Sequence, residues 1–356
     1  RNCSRTMRSA AKVSRSTSSP DSLFTGSPLK LASLKQDGRD GTLVVGSREL
    51  SRAVKAAAIA PTLQAALDDW SNAAPRLNAL SEALNAGSAE GAFALDVAQL
   101  AAPLPRAYEF VDGSAYLPHV ERVRKARGAT VPETFYTDPL MYQATSAGFL
   151  GPRDPVRVPS EDYGIDLEAE VVVVTDDVPM AVTPEQATHH IQLVGLVNDV
   201  SLRNLIPAEL AKGFGFLQSK PRSALSPVFV TPDELRDAWK DDKVHLAMRT
   251  WINGQWFGEA EAGEDMQFDF AQLIAHAART RPLIAGTIVG SGTIANQDTS
   301  RGASCLAEQR TVEKLRDGEA RTPFLKYGDT VKIDMRDVDG NSIFGAIEQR
   351  IEPSTS

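Results

Sequence analysis

Cysteine is nearly absent from these 356 residues, with only Cys3 and Cys305 present. Two thiols this far apart argue against a disulfide framework and against a thiolate zinc site, and they suit a reducing cytosol or mitochondrial matrix. Long apolar runs are missing too. None approaches the ~20 residues that a membrane-crossing helix needs, so no membrane partner is expected. The chain has no GxGxxG fingerprint and no sustained strand–helix alternation, which leaves a dinucleotide-binding fold unsupported. It shows no internal repeat, and it lacks an excess of positive charge. The formal net charge is −8, and residues 1–28 hold five basic side chains against the single acid Asp21, leaving 33 basic and 45 acidic residues beyond them. A body this acidic repels a phosphate backbone, so nucleic acid is not an expected partner.

The tail RNCSRTMRSAAKVSRSTSSPDSLFTGSP is rich in Ser and Arg. That composition fits an organellar transit peptide, and equally sequence left by cloning or by upstream translation. The missing initiator Met favours the second origin. The tail is set aside from the fold, and the expected location is cytoplasmic, or mitochondrial should the tail be a transit peptide.

An apolar fraction of 42% is that of an ordinary globular chain. From residue 29 the pattern is short strands around a DG-rich turn, in LKLASLKQDGRDGTLVVGS. Helical spacing follows in TLQAALDDWSNAAPRLNALSEALNAG, with a break expected at Pro75 and an end at Gly87. APLPRAY, residues 102–108, reads as a linker, which divides the chain into a small N-terminal domain (29–104) and a larger unit (105–356). The larger unit is mostly strands: EAEVVVV, IQLVGLVND, LSPVFVT, VHLAMRTWINGQWF, GTIVGSGTI and DTVKIDM. Asn253-Gly254 marks a hairpin, and DFAQLIAHAART is its clearest helix. The expected class is α+β, rich in strands.

The stretch DYGIDLEAEVVVV, residues 162–174, poses a chemical problem. Glu168 and Glu170 leave the same face of an extended chain that then runs into four valines. Like charges in such a setting need a counter-charge. Asp112 and Asp199 also end apolar runs. Four acids so placed suit a hard divalent cation with all-oxygen ligation, and equally suit solvated strand ends or Arg and Lys partners.

The order of several motifs goes further. FVDGSAYLPHVERVRKARG, DPLMYQ, DLEAEVVVV, NDVSLRN, FLQSKPRSALSP, GSGTI, LAEQR and FLKYGDTVKIDM together resemble the fumarylacetoacetate hydrolase family over roughly residues 105–352. The resemblance implies a mixed β-sandwich roll for that unit, and a homodimer. It also implies one divalent metal, Mg²⁺ before Mn²⁺ or Ca²⁺, held by Asp112, Glu168, Glu170 and Asp199. By the same resemblance His119 is the general base and Glu308 the carboxylate that orients it, a pairing that fixes the ring tautomer. Lys220 and Arg203 are the cationic donors to a developing enolate, and Tyr142 and Thr293 contact substrate. Asp166 matches no family position and is given no role, and the same holds for His189, His190, His245 and His276.

One position departs from the family. Where fumarylacetoacetate hydrolases carry a glutamine donor, this chain has Ile206, which donates nothing from its side chain. The expected activity is metal-dependent hydrolysis of a carbon–carbon bond in a β-diketo acid, fumarylacetoacetate or an acylpyruvate, in aromatic-compound catabolism. Rival readings are a 2-oxo acid hydratase, decarboxylase or isomerase on the same metal site, and a non-catalytic, metal-stabilised binding protein.

Overall fold

Val171 to Val174 are all shut from solvent, although neighbouring side chains on a strand point opposite ways. Their strand, Ala169–Thr175, lies inside an eleven-stranded mixed sheet covered on both faces. Val171 and Val173 share a core with Met248, Ile333, Met335 and Ile347. That core involves a second, five-stranded sheet made of Gln255–Glu261, Ala247–Ile252, Thr330–Met335, Ile347–Pro353 and Val156–Val158. Val172 and Val174 pack on the other side with Leu63, Leu67, Leu77 and Leu84, from the helices Leu63–Leu67 and Trp70–Asn85. The architecture is thus α+β and strand-rich, with a C-terminal roll and a small N-terminal domain. The computed structural model describes residues 28–354 apart from residues 127 and 129, so all but the last residue of the Ser/Arg-rich tail lies outside the described residues.

The two units share one sheet. Lys30–Leu34 pairs on one side with Thr42–Gly46 and on the other with Phe229–Val230, which leads on to Ile191–Asn198. The residues of the expected linker, 102–108, form neither helix nor strand. The helix break expected at Pro75 comes earlier, at Asp69, whose backbone leaves the helical region (φ −137°, ψ 46°). Pro75 is carried inside Trp70–Asn85, close enough to its start that the lost N–H interrupts the ladder without ending it. The Asn253-Gly254 turn forms with φ of 51° and 73°, and Phe270–Ala277 opens on a capping box between Asp269 and Gln272.

Five neighbouring strands position the site. In order they are Ile191–Asn198, Ala169–Thr175, Ile288–Gly290, Phe110–Gly113 and Met141–Gln143. The register sets Glu170 opposite Val197, Gly290 opposite Asp112, and Asp112 opposite Tyr142. Asp199, Glu170, the residues after Gly290, Asp112 and Tyr142 therefore meet at one end of the sheet.

Candidate active site

Asp112, Glu170 and Asp199 converge there. One carboxylate oxygen from each lies within 4.8 Å of the other two, and all three side chains are buried. Gly290 makes the approach feasible, because a Cβ at that position would collide with Asp112 Oδ1. Asp112 also accepts a hydrogen bond from Gly292 N at 3.2 Å. Burial first, and then the neighbouring Asp199 charge, push the Asp112 carboxyl up to about 8. Burial together with Asp112 and Asp199 raises Glu170 well above the usual carboxylate range. Glu170 Oε2 is sealed from solvent and meets no hydrogen-bond donor. Asp112 and Glu170 are close enough to share a proton, and a cation would serve the same need.

Glu168 stands beside this trio with its charge already matched. Its Oε1 accepts from Arg203 Nη2 at 2.7 Å, and its Oε2 accepts from Lys220 Nζ at 2.5 Å and Ser201 Oγ at 3.0 Å. Burial alone would raise its pKa, but Arg203 and Lys220 hold it far below the ordinary range. Lys220 Nζ also reaches Asp199 Oδ2 at 2.5 Å, and these two carboxylates keep the ammonium charged against its own burial. Asp199 accepts from two further donors. Tyr142 Oη gives to Oδ2 at 2.6 Å, and Ser223 Oγ gives to Oδ1 at 2.5 Å. Burial and the nearby carboxylates keep the Tyr142 phenol protonated. Its ring meets Phe216 edge to face, with centroids 4.8 Å apart. Thr293 Oγ1 lies 3.5 Å from Glu170 Oε1. Ile206 is buried at the start of the helix Ile206–Leu210.

The second group of side chains comes from two helices, Leu117–Ala126 and Leu306–Asp317. Glu308 Oε2 lies 2.6 Å from His119 Nδ1, and Arg122 Nη1 donates to Glu308 Oε1 at 2.5 Å. Arg122 Nη2 also donates to the carbonyls of Asn296 (2.6 Å) and Gln297 (2.8 Å). Burial works to raise the Glu308 pKa, but His119 and Arg122 hold it below the usual carboxylate range. An ionised carboxylate only accepts, so Nδ1 carries a proton, and in the neutral ring Nε2 is the nitrogen with the free lone pair. His119 is near enough to act on Glu168 electrostatically, so the pair borders the acid cluster. Geometrically, this is an imidazole held at Nδ1 beside a buried cluster of carboxylates.

The structure brings together all ten residues singled out from the sequence, with Glu168 bonded to cations beside the closest trio. Sequence reasoning passed over Arg122, Ser201, Ser223 and Phe216. Arg122 carried a readable signal, since three residues from His119 on a helix puts both on one face. Asp166 was also passed over. It is buried and bonded to Arg203 Nε at 2.7 Å. None of the other four histidines bonds to these groups among the described residues, and His190 instead pairs with Asp176 at 2.6 Å.

Comparison with known proteins adds an independent line. Residues 109–352 match the family described as fumarylacetoacetate (FAA) hydrolase C-terminal, and residues 29–106 match fumarylacetoacetase N-terminal domain 2. A mitochondrial oxaloacetate tautomerase of Xenopus laevis is 28% identical over 160 residues, 44% of this chain and 47% of that protein. A 2,4-didehydro-3-deoxy-L-rhamnonate hydrolase of Sphingomonas sp. (strain SKA58) is 29% identical over 160 residues, 44% of this chain and 53% of that protein. The match thus spans about half the length of these relatives. In fold, the chain is similar to maleylpyruvate hydrolase from Sphingobium sp. SYK-6, solved with manganese(II) and pyruvate. The TM-score is 0.60 at 16% identity, covering 92% of this chain and 100% of that one.

Proposed function

Since the chain belongs to the fumarylacetoacetate hydrolase family, we propose that it is a divalent-metal-dependent hydrolase of β-diketo acids, cleaving a carbon–carbon bond in fumarylacetoacetate or an acylpyruvate. Members of this family are enzymes, and the reaction is what the proposal adds. The observation that carries it is Glu308 gripping His119 Nδ1 at 2.6 Å beside the buried carboxylates.

The donor set fits a hard cation. All ligand atoms are carboxylate oxygens, and the donorless Glu170 Oε2 calls for positive charge. Asp112, Glu170 and Asp199 would hold it, with Glu168 as the fourth acid of the set, and Mg²⁺ is the first choice before Mn²⁺ or Ca²⁺. When bound, such a cation supplies Lewis acidity to the paired oxygens of a dicarbonyl acid.

The protein's own groups do the rest in this reading. His119 Nε2 takes a proton from water, and Glu308 balances the charge that the ring acquires. The hydroxide adds to the distal ketone, the carbon–carbon bond breaks, and the electron pair leaves as the enolate of pyruvate or of its analogue. The proton taken up by His119 then converts that enolate to the ketone, so water and an acylpyruvate become a carboxylic acid and pyruvate, while water and fumarylacetoacetate become fumarate and acetoacetate. Lys220 and Arg203 supply fixed positive charge to the oxygens involved. The Tyr142 and Phe216 rings give an apolar surface that suits the carbon skeleton, while Thr293 offers a hydroxyl. A non-catalytic binding protein would have no use for the His119–Glu308 pair. We take the enzyme to act as a homodimer, which light scattering showing particles of a single chain's mass would contradict.

A second reading is a keto–enol tautomerase, favoured by the likeness to the Xenopus enzyme. There the same imidazole would move a carbon-bound proton and water would not be consumed. The purified protein, assayed with Mg²⁺ and with Mn²⁺ on acylpyruvates, fumarylacetoacetate and oxaloacetate, separates the two. Release of a carboxylic acid supports hydrolysis, and enol–keto conversion of oxaloacetate without cleavage of any acylpyruvate overturns it.

A further inference from the structure

The proposed reaction draws on two assemblies: the carboxylates with Arg203, and the His119–Glu308 pair. One buried side chain that the reaction leaves unused bonds to Arg203 and to the backbone just before Glu308. Asp166 ends the short strand Ile165–Asp166 and is 0% exposed. Its Oδ2 accepts from Arg203 Nε at 2.7 Å and from Ala307 N at 2.9 Å, while Oδ1 accepts from Leu306 N at 2.6 Å.

One bond leads to the acid cluster and two lead to the helix that carries Glu308. Arg203 uses its other edge, Nη2, on Glu168 Oε1 at 2.7 Å, so Asp166 and Glu168 grip one guanidinium between them. Leu306 and Ala307 are the first two residues of the Leu306–Asp317 helix, and Glu308 is the third. The first N–H groups of a helix have no partners within it, and a carboxylate placed there satisfies them and opposes the helix dipole favourably. The adjoining backbone is tied into the same frame. Ser201 pairs with Asp166, Leu202 pairs with Ile165, and Glu168 bridges to Cys305. Without competing water, three charge-assisted or backbone bonds on one carboxylate fix its neighbours closely.

We propose that Asp166 is a positioning residue that sets the acid cluster and the His119–Glu308 pair in register with each other. It acts through Arg203 on Glu168, and through the helix start on Glu308 and then His119. The proposal deepens the hydrolase reading and rests on it.

The test uses Asp166→Asn, which keeps the volume but presents one acceptor oxygen and an NH₂ group. At least one of the three donors then faces another donor. With the variant shown folded by circular dichroism, Mg²⁺ affinity by calorimetry should fall roughly 10–100-fold, the range typical of lost outer-sphere partners. The NMR resonance of the His119 Nδ1 proton should also shift or broaden, and kcat should fall more than KM rises. A folded variant in which either Mg²⁺ affinity or the His119 proton stays as in the wild type overturns the proposal. If Asp166→Asn does not fold, Arg203→Lys decides, because it keeps the charge but loses the Nε bond to Asp166. The His119 proton should move in that variant although Arg203 makes no bond to the pair, and an unmoved signal overturns the idea. Neither the Mg²⁺ affinity nor the His119 proton needs a substrate, so an enzyme inactive on every acylpyruvate would sink the hydrolase reading while leaving these two readouts decisive.

Discussion

Glu308 Oε2 sits 2.6 Å from His119 Nδ1, although the two residues are 189 positions apart in the sequence. The contact defines which ring nitrogen is free, and Arg122 on the other Glu308 oxygen keeps that carboxylate an acceptor. If this imidazole is the base, His119→Ala should reduce acylpyruvate hydrolysis by ~10²–10⁴. Mg²⁺ affinity should stay near the wild-type value, because His119 is not among the proposed ligands. Glu308→Gln should produce much of the same defect, and the double variant little more, since members of one catalytic unit are not additive. Steady-state kinetics and calorimetry on the three variants check this.

Arg122 should matter although it lies outside the acid cluster. Arg122→Met leaves Glu308 with one partner and frees the carbonyls of Asn296 and Gln297. A fall in kcat of about 10–100-fold is expected. Arg122→Lys should recover part of it, because one of the bonds can reform. Kinetics equal to wild type in Arg122→Met would show that His119 alone orients Glu308.

Gly290→Ala tests how tightly the sheet frames the acids. The added methyl must displace Asp112 Oδ1 or the backbone that carries it. Mg²⁺ affinity should drop at least ~10-fold, with the variant still folded by circular dichroism. Unchanged affinity would remove Asp112 from the ligand set.

The buried acids also predict how stability changes with pH. Asp112 ionises near 3.9 in an unfolded chain and at about 8 in the fold. Between those values the unfolded state has released the proton and the folded state has kept it, so stability of chelated protein should fall as pH rises through that window. Above about 8 the loss should level off. Mg²⁺ binds the ionised form and should raise Tm more at pH 8 than at pH 5. Thermal melts with EDTA and with Mg²⁺ across that range measure it, and a flat chelated profile would contradict the coupling.

Glu313 predicts the opposite slope at acid pH. It is buried, yet its pKa is lowered to about 2, because Thr322, Gln309 and the Arg321 N–H donate to it against the effect of burial. A depressed carboxyl stabilises above its unfolded value and loses that contribution as pH falls towards 2. Glu313→Gln should destabilise the fold near neutrality by roughly 1.5–3 kcal/mol, the worth of a bond to a charged group, and lower Tm accordingly. The gap from wild type should close progressively below pH 4. Equal melting temperatures at pH 7 would rule out the clasp.

Much of the site was readable because its residues sit at ends of apolar runs, where a charge is conspicuous. Glu168, Glu170, Asp112 and Asp199 all announce themselves that way, and the order of motifs brings in His119 and Glu308. Asp166 was not readable. Its partners Leu306 and Ala307 follow some 140 residues later, and only backbone N–H groups at a helix start make it useful. The shared sheet was hidden for another reason: the strand Phe229–Val230 was legible within LSPVFVT, but its pairing with Lys30–Leu34 joins residues far apart in the chain. The helix break was misplaced because Pro75 is a stronger sequence signal than Asp69, while the backbone turns at Asp69.

The most direct test of the proposed chemistry is an oxygen-18 experiment. The purified protein is incubated with an acylpyruvate and Mg²⁺ in oxygen-18 water, and the products are read by mass spectrometry. A hydrolase that adds water across the cleaved bond must release a carboxylic acid carrying the label, with pyruvate in equal amount. Neither product should accumulate with His119→Ala or with EDTA. Consumption of the diketo form with no labelled acid released, or enol–keto interconversion alone, would contradict the account.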